Sequence, residues 1–274
     1  TNLKGNDLDF VTDYFNYGGT NNYASLLAYV RKEMDGKTWF VDEAERPKSI
    51  PSDVYIHKEE TAIFEDFKTY DAYLKANGFH KPNQPKVALL TSVPGPFNSN
   101  RDHIDQLIQM LEDRNLNVYT ISAATKRLEF LEEVDPDVVI MMPHGRLTLG
   151  QDEEAIAWLK KKNIPLFSPL SVFQEYEKWV DDPQGFAGSL LSMSVVLPEI
   201  DGGINPYTII AQYEDEIGYL TFQTIPERLS KFGDMVEKWL TLKKKPNKDK
   251  KIAIYYFKGP GQNAMVAANM EVVP

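Results

Sequence analysis

The 274-residue chain contains no cysteine. That excludes disulfides, thiolate-ligated zinc, iron–sulfur clusters and thiol catalysis together. Histidine is scarce, with four in all: His57, His80, His103 and His144. None falls in an HxxxH or HxxEH pattern, so the zinc-protease motifs are missing. Positive charge is in deficit, with 30 Lys and Arg against 40 Asp and Glu and a net charge of −10. Proteins that grip phosphate backbones carry the opposite balance, which argues against nucleic acid as a partner. No apolar run approaches the ~20 residues that a membrane span needs. GxSxG, GxGxxG and the P-loop GxxxxGK are all lacking, which argues against an α/β-hydrolase, a standard dinucleotide site and an ATP site.

What is present is material for a packed core: 42% of residues are hydrophobic and 12% aromatic. At ~150 residues per domain the length fits one large domain or two modest ones. Residues 85–200 alternate strand and helix. Lys86–Thr91 is nearly all apolar, as in a strand buried on both faces. Ile104, Leu107, Ile108 and Leu111 then recur at helical spacing. Further strands are expected at 117–122, 137–142, 164–168 and 193–197, with helices at 126–133 and 152–162 between the first of them. The second of these helices ends in Lys160, Lys161 and Lys162, where cations suit the helix dipole.

This alternation predicts an α/β fold: a Rossmann-like or flavodoxin-like parallel sheet with helices on both faces. The flanks are less regular. Helices are expected at 21–34 and 64–74, short strands at 38–41 and 252–257, and an irregular crossing around Pro47 and Pro51. Thr224-Ile-Pro-Glu227 reads as a capping box that opens a helix carrying Leu229, Phe232, Val236 and Leu240 on one face. The flanks are therefore expected to form a partial second α/β unit. The division is 1–84 as an N-terminal flank, 85–205 as the central domain and 206–274 as the truncated start of a further unit. The chain opens at Thr1 without a signal pattern and stops at Pro274 soon after a strand-like run, as expected of a piece of something longer.

Several residues could carry chemistry. His144 follows an expected strand in Met142-Pro-His-Gly-Arg146. In open α/β sheets such loops line the ligand crevice. Gly145 permits close approach, and Arg146 could meet a carboxylate in bidentate fashion; packing or capping at the strand exit is the plainer reading of His144. Leu197-Pro-Glu-Ile-Asp-Gly-Gly203 places Glu199 and Asp201 two residues apart at an expected strand end. There they could hold a divalent cation or take a proton, or Asp201 and Gly202 could simply form a turn. His103, at an expected helix start, reads as a capping-region residue, and His80 as an exposed turn residue. Thr91–Phe97 follows the first strand of the central region, but its prolines remove N–H groups that a phosphate would need.

Read in order, the motifs resemble a known family. They are Tyr17-Gly-Gly-Thr-Asn-Asn-Tyr-Ala-Ser-Leu-Leu27, Val54-Tyr-Ile-His57, Lys86–Thr91 with its helix, Leu197–Gly202, the helix and turn from Glu227 to Asn247, and Lys251–Ala268. Together they are similar to the large subunits of aerobic cobaltochelatase and of magnesium chelatase. The resemblance implies a subunit that binds a tetrapyrrole and takes a divalent metal, Co2+ or Mg2+, as substrate. ATP would be used by AAA+ type partner subunits and not bound here. A haem-handling relative that removes Fe2+ is the alternative within the family, and a two-lobe solute-binding module the alternative outside it. The implied location is cytoplasmic, or periplasmic and membrane-associated for the haem-handling case. Metal insertion requires removal of two pyrrole N–H protons, so a base beside the ring is needed. His144, Glu199 and Asp201 are the catalytic candidates, and His57 and Arg146 the ring-binding ones.

Overall fold

A computed structural model describes residues 3–37, 39, 43–49, 51–92 and 100–253. The expected strands at 38–41 and 252–257, and most of the Thr91–Phe97 loop, lie outside the described residues.

The chain begins with helices α1 (Asn6–Tyr17) and α2 (Thr20–Tyr29), the second running into a π turn at Val30–Met34. Strands β1 (Val54–Ile56) and β2 (Ile63–Phe64) and helix α3 (Phe67–Ala76) follow. The alternating region then unfolds as expected. It comprises β3 (Lys86–Thr91), α4 (Asp102–Asp113), β4 (Asn117–Ser122), α5 (Arg127–Val134), β5 (Val138–Met141), α6 (Asp152–Lys162) and β6 (Leu166–Phe167). After it come β7 (Leu170–Glu175), α7 (Tyr176–Asp181), α8 (Gly188–Leu191), α9 (Leu197–Ile200), β8 (Gly203–Ile204), β9 (Thr208–Glu214), β10 (Leu220–Thr224) and α10 (Pro226–Lys244).

The main sheet has seven strands in the order β2-β1-β4-β3-β5-β6-β8. Its five central and right-hand strands, β4, β3, β5, β6 and β8, run parallel, and β1 and β2 add an antiparallel edge beside β4. Numbered from β3, the parallel order is 2-1-3-4-5, which resolves the sequence expectation to the flavodoxin-like arrangement. The reason lies in β3, whose side chains alternate between two cores. Ala88 and Leu90 point into a cluster with Tyr70, Leu128, Leu131, Trp158 and Leu159, from α3, α5 and α6. Val87 and Leu89 point into the other, with Ile104, Leu107, Phe232 and Val236, from α4 and α10. A strand covered on both faces has no polar face to show, hence the unbroken apolar run.

Three expectations are corrected. Residues 193–197 are not the fifth strand. They form a helical stretch, with a π turn at Ser192–Val196 joining α8 to α9. The Val-Val-Leu run favours strand locally, but Met193 and Val196 are exposed, so no sheet face claims them. The fifth parallel position is taken by β8, which pairs Gly203 with Leu166 of β6. The Val54–Ile56 segment, read as part of an irregular crossing, is a fully buried strand. Thr224 does not act as the helix cap: it ends β10, and its hydroxyl donates to Gln106 Oε1. Pro226 does occupy the first helical position.

A second sheet has three strands in the order β10-β9-β7, with β10 antiparallel and β7 parallel to β9. Residues Thr1–Leu240 form one compact unit; in the remainder, the end of α10 and a single 3-10 turn at Asn247–Asp249 are described. α10 is held to the sheet by Phe232, which is fully buried and meets Phe167 edge-on at 5.7 Å. Truncating it leaves a cavity at the centre of that interface. The Phe232→Ala variant is expected to lose about 3–5 kcal/mol of stability, read as a lowered urea midpoint with an unchanged slope.

Candidate functional site

The strand order reverses at β3, with β4 on one side and β5 on the other. Helices α4 and α6, which follow β3 and β5, therefore cover opposite faces, and in sheets of this order the ligand crevice lies at such a reversal. His144 stands on the β5 side of that crevice. Its loop is tied to the π turn twice. The Gly145 N–H donates to Met193 O at 2.8 Å, and His144 Nδ1 lies 2.8 Å from Ser194 Oγ. Gly145 has φ of 98°, a conformation that a side chain would oppose. A π turn widens one helical turn by a residue and often marks a functional position. Here it presents Ser194 to the imidazole, leaving Nε2 as the ring nitrogen free of that contact.

His103 stands on the β3 side, at the start of α4. Aromatic rings run between the two histidines. His144 lies 5.3 Å from Phe173 of β7, Phe173 meets Phe222 of β10 edge-on at 5.3 Å, and Phe222 lies 5.8 Å from His103. Burial in this surrounding lowers both imidazoles below their ordinary value, His103 to about 4. Both are neutral near pH 7 and retain a lone pair. Among the described residues, the buried His103 Nδ1 has no hydrogen-bond partner, nor do Asn100 Oδ1 and Arg101 Nη1. Sequence reasoning undervalued His103 and missed Ser194, Phe173 and Phe222. The only signal for Phe173 and Phe222 was their aromatic character, which suits core packing equally well.

The motif at Leu197–Gly203 does something different from the expected cation site. Asp201 is buried and fully engaged. Its Oδ1 accepts from Arg146 Nη2 at 2.6 Å and Nε at 2.8 Å, and its Oδ2 accepts from the Leu147 N–H at 2.6 Å. Arg146 also reaches Asp152 at 3.3 Å. Two of the candidates thus neutralise one another and pin the β5 loop to the turn after α9. The glycines of the motif have separate causes. Gly202 sits at φ of 93°. A Cβ on Gly203 would stand 2.7 Å from the carbonyl oxygen of Pro198, inside contact distance. Glu199, two residues before Asp201, points elsewhere: it is exposed and borders an open cavity of about 240 Å3 with Ser168, Val195 and Asn205. Among the described residues no three His, Asp or Glu side chains gather as metal ligands.

His57 lies apart from this crevice. It follows β1, whose antiparallel register pairs Ile56 with Thr120 and carries the chain toward the amino end of β4. Fully buried, its Nε2 is 2.9 Å from Glu112 Oε1, and its ring packs 4.2 Å from Phe79. Burial opposes ionisation of Glu112, yet the bonds from His57 and Lys58 hold its carboxyl below the usual range. His57 and Lys58, just after β1, thus both bind Glu112 of α4 and tie the two elements together. His80 also has a partner, with Nδ1 3.1 Å from Tyr119 Oη.

Two outcomes follow from this geometry. Replacing Asp201 by Ala leaves Arg146 with Asp152 alone and the buried Leu147 N–H unpaired; chemical denaturation should register a loss of about 1–3 kcal/mol. The second concerns pH. An unfolded His103 protonates near 6.5, the folded one near 4. Between those values the unfolded chain binds more protons, so stability is fully present above pH 6.5 and declines as pH falls toward 4. The full separation is worth about 3 kcal/mol. Urea midpoints measured from pH 7 to 4 should fall less steeply in His103→Phe; an identical slope would remove His103 as the cause.

No helix among the described residues is long and apolar enough to cross a membrane. The magnesium-chelatase large (H-type) polypeptide of Chlorobaculum parvum is 24% identical over 242 residues, an alignment covering 82% of this chain and 18% of that protein. The aerobic cobaltochelatase subunit CobN of Pseudomonas aeruginosa is 20% identical over 278 residues, covering 97% of this chain and 21% of that one. The catalytic subunit of cobaltochelatase from Mycobacterium tuberculosis superposes with a TM-score of 0.65 at 17% identity, over 89% of this chain and 20% of that one, a likeness of fold. The chain thus spans about a fifth of the length of the curated relatives it matches. A family model described as CobN/Magnesium Chelatase matches residues 12–274. With that match running across nearly the whole sequence, the chain belongs to the CobN/magnesium chelatase family.

Proposed function

We propose that this chain forms part of the tetrapyrrole-binding large subunit of a metal chelatase, which inserts Co2+ or Mg2+ into a corrin or porphyrin ring. The family match supports the chemistry. What supports carrying it to particular residues is the pair of imidazoles, His144 after β5 and His103 at the start of α4, both lowered by burial and linked through Phe173 and Phe222. Insertion exchanges two pyrrole N–H protons for one divalent metal, so the site must accept protons at neutral pH. A neutral imidazole does so; one already protonated does not.

In this reading His144 is the proton acceptor, through Nε2. Glu199 is a carboxylate open to solvent that can relay the proton or meet the incoming metal. Asp201 and Arg146 position the His144 loop and touch no reacting atom, and His57 belongs to the core. The sequence carries no P-loop, and ATP is assigned to AAA+ type partner subunits, which drive closure around the ring. We place the whole assembly in the cytoplasm, and expect this chain to bind the ring without completing insertion alone.

Titration of the purified chain with protoporphyrin, haem and a corrin, followed by the Soret band and tryptophan fluorescence, tests the reading. One macrocycle should bind saturably, with affinity at least about tenfold weaker in His144→Ala. A well-folded chain that binds none of the three would overturn it.

A further inference from the structure

Phe173 is 51% exposed although both of its aromatic neighbours are packed against it. Its other side lines a cleft of about 260 Å3 with Trp179, Phe186, Leu190, Gln174 and Asp182. This cleft is separate from the cavity beside Glu199. Phe173, on its wall, lies 5.3 Å from the His144 ring.

We propose that this cleft takes one apolar rim of a flat macrocycle, whose face stacks on Phe173 and whose centre turns toward His144. The inference rests on the macrocycle reading above and adds where the ring lies and which edge enters. The lining chemistry carries it. Six of the ten lining residues are apolar, Phe173, Trp179, Phe186 and Leu190 among them, with amides from Gln174 and Gln184. Among the described residues the sole charged group in the lining is Asp182, which accepts the Gln184 N–H at 2.8 Å. No described Lys or Arg lines the cleft, so a phosphate or carboxylate entering it would meet no counter-charge there.

The cations nearby are already engaged. Arg146 is held by Asp201 and Asp152, and Lys178 pairs with Glu175. Arg228 lies over the Trp179 ring at 5.4 Å and donates through Nε to Thr208 O at 2.6 Å. An anionic ligand is therefore disfavoured and a flat apolar one favoured. The volume falls below the ~300 Å3 at which pockets for whole drug-sized ligands begin, which suits a rim and not a whole ring. The orientation follows: the edge bearing carboxylates faces out to solvent, and the alkyl-substituted edge faces in.

The test compares free protoporphyrin with its dimethyl ester on the purified chain, by Soret titration. Variants are Phe173→Ala, Phe173→Tyr, Leu190→Glu and, as a control on the exposed β9–β10 turn, Ile217→Ser. The ester is expected to bind within threefold of the free acid. Phe173→Ala and Leu190→Glu should each weaken both ligands tenfold or more, while Phe173→Tyr and Ile217→Ser stay near wild type. Far-ultraviolet circular dichroism checks folding, and Leu190→Glu keeps the test decisive where Phe173→Ala unfolds. If wild type binds but Phe173→Ala and Leu190→Glu stay within twofold, this placement is wrong and the macrocycle reading survives. A tenfold loss on esterification overturns the orientation in the same way. Absence of any binding to wild type overturns both readings.

Discussion

The covering of β3 on both faces is the constraint from which the rest of the architecture follows. One strand of six residues feeds two hydrophobic cores by simple alternation, Ala88 and Leu90 to one and Val87 and Leu89 to the other. Each core needs its own helices, so the connections from β3 and from β5 must leave toward opposite faces. In sheets of this order the ligand crevice lies at that divergence. Burial of apolar area, at roughly 25 cal/mol per Å2, is non-directional, but the strand period converts it into a directional device. The candidate site is placed where the two buried layers part.

An opening of that kind is only as useful as the loops beside it are fixed. The β5 loop is fixed by charge and hydrogen bonds. Asp201 offers both oxygens inward, to Arg146 and to the Leu147 N–H, and the π turn offers Ser194 and the Met193 carbonyl from the other side. Each of these polar groups has a partner, which makes the arrangement sustainable in low dielectric. The close approach of Gly203 to Pro198 O sets the distance between α9 and β8, and hence the height from which Asp201 reaches up. Leu197–Gly203, a segment that carries much of the family resemblance, is thus best understood as a bracket for the His144 loop.

Periodicity made most of the parallel sheet legible, because strands buried on two faces and helices buried on one leave different spacings. Lys86–Thr91, Asn117–Ser122 and Asp152–Lys162 come out of the sequence with their observed bounds. Periodicity failed where tertiary context outweighs it. Residues 193–197 read as strand from their β-branched residues, but Ser192–Val196 forms a π turn with Met193 and Val196 exposed. Val54–Ile56 has three residues, too few to show a period, and it is a strand because β4 accepts it. In the site, His144 and Arg146 were legible as residues following a strand. That Arg146 and Asp201 face each other, 55 positions apart, was not. Nor was the aromatic series from His144 to His103, whose members come from four separate elements.

The electrostatics of the β5 loop resolve an apparent conflict. Arg146, two residues after His144, holds two carboxylates, Asp201 and Asp152; an unscreened carboxylate beside an imidazole would raise its pKa. The observed direction is the reverse: burial dominates, and the ring is pushed down. Arg146 takes Asp201 at 2.6 Å and Asp152 at 3.3 Å, so each carboxylate has a cationic partner, and burial is the cause of the His144 shift. In the proposed reading the guanidinium fixes the loop, and loss of water keeps the imidazole on that loop neutral.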